Sequence, residues 1–88
     1  MNNKARTFRP ASALAKSVFF ADEMMHVALT DGRVISVPLV WFPRLSGVSP
    51  EQLERCELGG GGIALHWPDL DEDLSVAGLL AGANEKSG

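Results

Sequence analysis

The sequence predicts a small α+β domain: a small antiparallel sheet, made of a β-hairpin or meander plus a returning strand, with two short helices. Three observations carry this. Two runs of alternating apolar residues flank Asp31-Gly32; Ser49-Pro50-Glu51-Gln52 has the form of a helix start; and a second β-prone run, Ile63 to Trp67, is stopped by Pro68 ahead of a short apolar stretch that opens at Ser75.

Taken in order, Ser17 to Phe20 is a short β-prone run that Ala21-Asp22-Glu23 turns. Met24 to Thr30 places Met25, Val27 and Leu29 on one face and His26, Ala28 and Thr30 on the other, the period of a strand with one buried side. Asp31 and Gly32 suit a tight hairpin, because glycine takes positive φ at no steric cost and aspartate tolerates it. Arg33 to Leu39 alternates again through Ile35, Val37 and Leu39, and Pro38, lacking an N–H, is expected to close the strand or to lie on an edge.

Val40 to Leu45 is bounded by prolines, with Pro43 inside it, and is expected to lay Trp41 or Phe42 over the sheet. Ser49 is a capping residue, Pro50 is pre-set for the first helical position, and Val48 with Leu53 forms a hydrophobic staple. A helix of about two to three turns is expected, with Leu53, Cys56 and Leu58 on its apolar stripe and Gly59 to Gly62 ending it as a flexible loop. Ile63, Leu65 and Trp67 then share one face of a strand that joins the hairpin sheet, with His66 on the other. Asp69, Asp71, Glu72 and Asp73 precede the last helix, where its unpaired N–H groups favour negative charge.

Length bounds the rest. The 88 residues leave room for one domain, expected over residues 17–82, between a flexible basic extension over 1–16 and a disordered tail over 83–88. Hydrophobic content of 45% with 22% charged residues lies outside the composition of disordered chains. One cysteine makes no internal disulfide, and two histidines with one thiol show no zinc spacing. The expected setting is a reducing cytoplasm, with no membrane association, since no apolar run approaches the roughly 18 residues a span needs. Lys4, Arg6, Arg9 and Lys16 make the first residues basic ahead of a body that leaves the whole at a net charge of −3. A solvated terminus is favoured there over a presequence or a nucleic-acid arm, because an acidic body repels phosphate.

The candidate chemistry lies in the carboxylates and His66. Acids at 69, 71, 72 and 73 beside His66 have the oxygen donors of a Mg²⁺ site, but the bidentate glutamate of an EF-hand loop is missing. The four glycines are followed by no Lys-Ser or Lys-Thr, against a phosphate loop, and no serine has the turn glycines of a nucleophile elbow. No catalytic residue, cofactor or metal site is therefore assigned, and a metal-assisted enzyme built on the acids with His66 is only the alternative. Interaction candidates are Trp41, Phe42, Arg44, His66, Trp67, Asp69, Asp71, Glu72 and Asp73. The acids would meet a basic partner and the aromatics, unless they form the core, would supply a desolvated anchor.

Leu29-Thr30-Asp31-Gly32-Arg33, Val37-Pro38-Leu39, Phe42-Pro43-Arg44-Leu45, Ser49-Pro50-Glu51-Gln52 and the run from His66-Trp67-Pro68-Asp69 to Ser75-Val76 together resemble the bacterial family called "domain of unknown function 2442". The resemblance spans about residues 17–82. It implies a small α+β domain with a hairpin-led antiparallel sheet, and a non-catalytic, antitoxin-like interaction with a small co-encoded protein. A regulatory role linked to DNA through such a partner is the other implication. The pattern departs at Gly78, where a glutamate would close a capping box with Ser75. Self-association through an exposed strand edge is open as well.

Overall fold

The computed structural model describes residues 13–82. Two three-stranded antiparallel sheets, with strands in sequential order, enclose one hydrophobic core. The first sheet comprises β1 (Ala15–Ala21), β2 (Met24–Leu29) and β3 (Val34–Pro38). The second comprises β4 (Glu57–Gly59), β5 (Ala64–Trp67) and β6 (Glu72–Ser75). Helices α1 (Pro50–Leu53) and α2 (Val76–Leu80) are one turn or a little more.

The alternation read along β2 is the burial pattern observed: Met25, Val27 and Leu29 are fully buried, while Met24, His26 and Ala28 are half-buried. On that outer face His26 stacks on Phe19, with ring centroids 4.7 Å apart, and shares a 2.7 Å hydrogen bond with Ser36. The β2–β3 hairpin turns at Asp31-Gly32 as expected, but through a three-residue loop. Gly32 N–H donates to Leu29 C=O, Leu29 N–H donates to Arg33 C=O, and Gly32 takes a φ of +98°. Asp31 accepts from the main-chain N–H and from Nε of Arg33, and the first of these holds its carboxyl below the usual range. Pro38 both ends β3 and lies on an edge strand, where its missing N–H leaves no gap in the ladder.

The mirror-image two-residue turn falls elsewhere, between β1 and β2. Asp22 and Glu23 both adopt positive φ, +56° and +62°, which matches the strands' right-handed twist but crowds any Cβ. The double substitution Asp22→Asn with Glu23→Gly is therefore expected to raise the unfolding free energy by about 1 kcal/mol. A urea titration checks this, and an unchanged midpoint would contradict it.

Three expectations are corrected. The helix after Ser49 has four residues, Pro50–Leu53, because the chain leaves helical geometry after its C-cap at Glu54; Cys56 and Leu58 lie beyond it, and Leu58 is in β4. The glycine run is the turn of the β4–β5 hairpin, with Gly59 inside β4 and paired with Ala64. The strand through His66-Trp67 does not join the hairpin sheet. It is the centre of the second sheet, and Glu72–Ser75, read as a lead-in to the last helix, is that sheet's third strand. Ile63 precedes the strand and is exposed, whereas Leu65 and Trp67 are buried.

The caps stand as read. Ser49 Oγ accepts from Gln52 N–H at 3.2 Å, and Ser75 Oγ accepts from Gly78 N–H at 2.9 Å, so α2 keeps its cap although Gly78 replaces the expected glutamate. Val48 and Leu53 both join the core cluster. Folded structure is under way before residue 17: β1 starts at Ala15, and Ala13 and Ala15 are buried. The N-terminal basic residues Lys4, Arg6 and Arg9 and the tail over 83–88 lie outside the described residues.

Candidate functional site

The hairpin between β5 and β6 carries the carboxylates. Pro68 opens a 3-10 turn over Pro68–Leu70, Asp71 caps it in the left-handed region at φ +55°, and the chain then returns as β6. The register pairs Trp67 with Glu72 and His66 with Asp73. Each acid but one is thereby given its own partner. His66 Nδ1 donates to Asp73 Oδ1 across the ladder. Arg55 Nη1 lies 2.9 Å from Asp69 Oδ2, and Arg44 Nε lies 3.7 Å from Glu72 Oε1, while Arg44 Nη1 donates to Leu70 C=O at 3.4 Å. Asp71 makes no ion pair among the described residues.

These are exposed pairs, worth up to about 1 kcal/mol each, and they fan outward rather than converge. Among the described residues no group of three His, Cys, Asp or Glu side chains is placed to hold a metal ion. The acids thus act as a surface lattice that tethers the Pro68–Asp71 hairpin to Arg44 and Arg55.

The aromatic candidates separate. Trp67 is fully buried and its Nε1 donates to Leu53 C=O at 2.9 Å, joining β5 to α1. Phe42 is buried as well, held by the turn in which Leu45 N–H and Ser46 N–H both donate to Phe42 C=O. Both belong to the core, so neither is offered to a partner. Trp41 points the other way, 46% exposed, beside Val40 at 70%. The 3-10 turn ends at Trp41 and the chain is extended at Phe42, with φ −120° and ψ 96°, so the two neighbouring side chains point apart.

Two grooves follow the outer edge of β1. One of about 370 Å³ runs between Phe19 and Leu58, past Val18 and Cys56. The other, about 680 Å³, lies between the Asp22-Glu23 turn and the Val40 and Leu45–Leu53 segments. They share Phe20 and Glu54. Sequence reasoning passed over these walls, because Glu54 reads as a solvent-facing helical residue and β1 gives no sign of being an edge.

Cys56 lines the smaller groove. Burial, only partly opposed by the His66 N–H and reinforced by the Glu57 charge, pushes its thiol up to about 11. It is a protonated, poor nucleophile at neutral pH. An unfolded chain releases this proton from its ordinary value of 9.0, before the folded one does at about 11. The unfolded state then binds fewer protons, so this group's contribution to stability is complete below pH 9 and falls as pH rises towards 11. Urea midpoints at pH 8 and pH 10.5 are expected to differ more in the wild type than in Cys56→Ala; equal differences would contradict this.

Fold and surface together define a two-sheet α+β domain in which His66, Arg44 and Arg55 pair with the carboxylates Asp73, Glu72 and Asp69 at the surface. The chain belongs to the family described as protein of unknown function (DUF2442), which matches residues 15–85. Its fold is similar to that of a protein of unknown function from Rhodospirillum rubrum, known from a crystal structure. That similarity has a TM-score of 0.72 and 34% identity over 81% of this chain and 88% of that one. It is also similar to an uncharacterized protein from Chromobacterium violaceum solved by NMR, with a TM-score of 0.69 and 26% identity over 81% of this chain and 67% of that one. No curated protein matches the chain. Neither the family nor these structures gives a catalytic indication. Among the described residues no helix is long and apolar enough to cross a membrane.

Proposed function

We propose that the chain is a non-catalytic protein-binding module that holds a small, basic, co-encoded protein in an antitoxin-like pairing. The observation that carries this reading is the exposure of Val40 and Trp41 next to the buried Phe42. A domain this small has every reason to bury a tryptophan, and Trp41 combines large apolar area with little side-chain entropy to lose, the property of an interface anchor. The acids Asp22, Glu23 and Glu54, which line a groove with Val40, favour a partner of opposite charge and speed its approach. Arg44 and Arg55 are each taken up by a carboxylate at the surface, whereas Asp22, Glu23 and Glu54 are in no ion pair among the described residues and are free to meet a basic partner.

The test is affinity capture of the tagged full chain from its native host at low salt, beside Trp41→Ser with an unchanged circular dichroism spectrum. The wild type is expected to retain one small basic companion in stoichiometric amount, and the variant about tenfold less of it or lower still. No companion, or equal recovery by both proteins, would contradict the reading.

A further inference from the structure

We propose that the groove along the outer edge of β1 receives an extended segment of the partner protein, apolar and bearing lysine or arginine, by addition of a strand to that edge. This rests on the protein-binding reading and names where and what it binds. Three independent features of the molecule converge on it.

The first is the unpaired backbone. Ala21 and Met24 close the two-residue turn and so exchange hydrogen bonds; alternation along the ladder turns the N–H and C=O of Phe20 and Val18 to the outer side. A bulge between Ala15 and Ser17 shifts this alternation so that Ala15 also faces outward, and its N–H donates to Gly62 C=O at 2.8 Å. That bond ties β1 to the β4–β5 turn at one end. Beyond it, among the described residues, no main-chain hydrogen bond reaches the outer side of Val18 or Phe20. Proteins usually blunt such an edge with a charge, a proline or a bulge, and here the bulge protects only the start of β1.

The second feature is the shape of the space beside that edge. The two grooves meet at Phe20 and Glu54, so the free edge faces a trough walled by α1 and β4 rather than open solvent. A single extended segment of about four residues spans the free part of the edge at roughly 3.3 Å per residue. A second copy of this chain would have to bring its own α1 and β4 to the same place, whereas an isolated strand brings no such wall.

Charge is the third. Among the described residues, the only ionisable side chains lining the larger groove are Asp22, Glu23 and Glu54, and Glu54 is the only charged residue in the smaller one. Asp22, Glu23 and Glu54 take part in no ion pair among the described residues, in contrast to the acids of the β5–β6 hairpin. An apolar floor with unpaired carboxylates along both walls complements an apolar segment carrying lysine or arginine and disfavours an acidic one.

A library of displayed random peptides panned on the full chain tests this. Enriched sequences are expected to combine β-branched or aromatic residues with lysine or arginine. One such peptide, synthesised and titrated into isotope-labelled chain, is expected to shift the amides of β1, Glu54 and Leu58 and to slow exchange at Val18 and Phe20 by about tenfold or more. Glu54→Lys, which alters an exposed C-cap and leaves the core intact, is expected to weaken that peptide by about tenfold. Enrichment without basic residues, no enrichment at all, or shifts with unchanged exchange at Val18 and Phe20 would each overturn the proposal. So would light scattering that shows a dimer closing over these amides. If the proposal fails in any of these ways while Trp41→Ser still abolishes capture of the companion, the groove assignment falls and the protein-binding reading stands.

Discussion

Replacing Trp67 by alanine is expected to remove about 4 kcal/mol of stability and to leave the chain largely unfolded near body temperature. Trp67 is the largest of the fully buried side chains and sits on the central strand of the second sheet. Its ring fills the core, and its Nε1 satisfies the C=O of Leu53 at the end of α1. A domain of this length has a total stability of about 4 to 10 kcal/mol, so the loss consumes roughly 40% of it or more. Trp67→Phe separates the two contributions: it keeps most of the apolar area but orphans the Leu53 carbonyl, at an expected cost of about 2 kcal/mol. Chemical denaturation of both variants checks this; a tolerated alanine would mean that the second sheet does not pack through Trp67.

Gly62→Ala has the second large effect expected, a loss of about 3 kcal/mol or more. Gly62 has φ +111°, and a Cβ there would overlap the carbonyl oxygen of Ala15 and press on its nitrogen. Both obstacles are backbone, so neither can swing aside. The same approach lets Ala15 N–H reach Gly62 C=O, the hydrogen bond that joins the edge of one sheet to the turn of the other. Gly61→Ala is the control: its φ of +72° carries a conformational cost, but nothing lies within 4 Å of the added carbon. Thermal melts that rank Gly62→Ala no lower than Gly61→Ala would contradict the close contact.

How far residues reveal this fold depends on whether the deciding force is local. The β2–β3 hairpin was legible because its apolar alternation has a fixed period and Asp31-Gly32 has a turn geometry of its own. Ser49, Pro50 and Ser75 marked helix starts through side-chain and ring properties that act within a turn. The second sheet was not legible in the same way. Glu57-Leu58-Gly59 has weak strand propensity and becomes a strand because β5 lies beside it, while Cys56, read as a stripe position, merely follows the short α1. Glu72 and Asp73 are poor strand formers too, and the cross-strand partner His66 and the more distant Arg44 offset their charge. The glycine run suggested slack, yet Gly62 is buried and tightly placed.

Among the candidate site residues, the carboxylates, His66 and Arg44 were legible and a bond from His66 to a neighbouring acid was expected, but Arg55 and the pairing of both arginines with the acids were not, since Arg44 and Arg55 are distant in sequence. Deciding between Trp41 and Phe42 needed the 3-10 turn. Trp67 was favoured for the core over an interface, and it is fully buried at the centre of the second sheet.

The measurement that tests the central claim most directly is peptide-resolved hydrogen–deuterium exchange of the free chain and of its captured complex at one ionic strength. Protection gained over Val40–Trp41 on binding is the predicted result. Exchange there that is identical in the two states would contradict the claim that this exposed apolar face binds a protein.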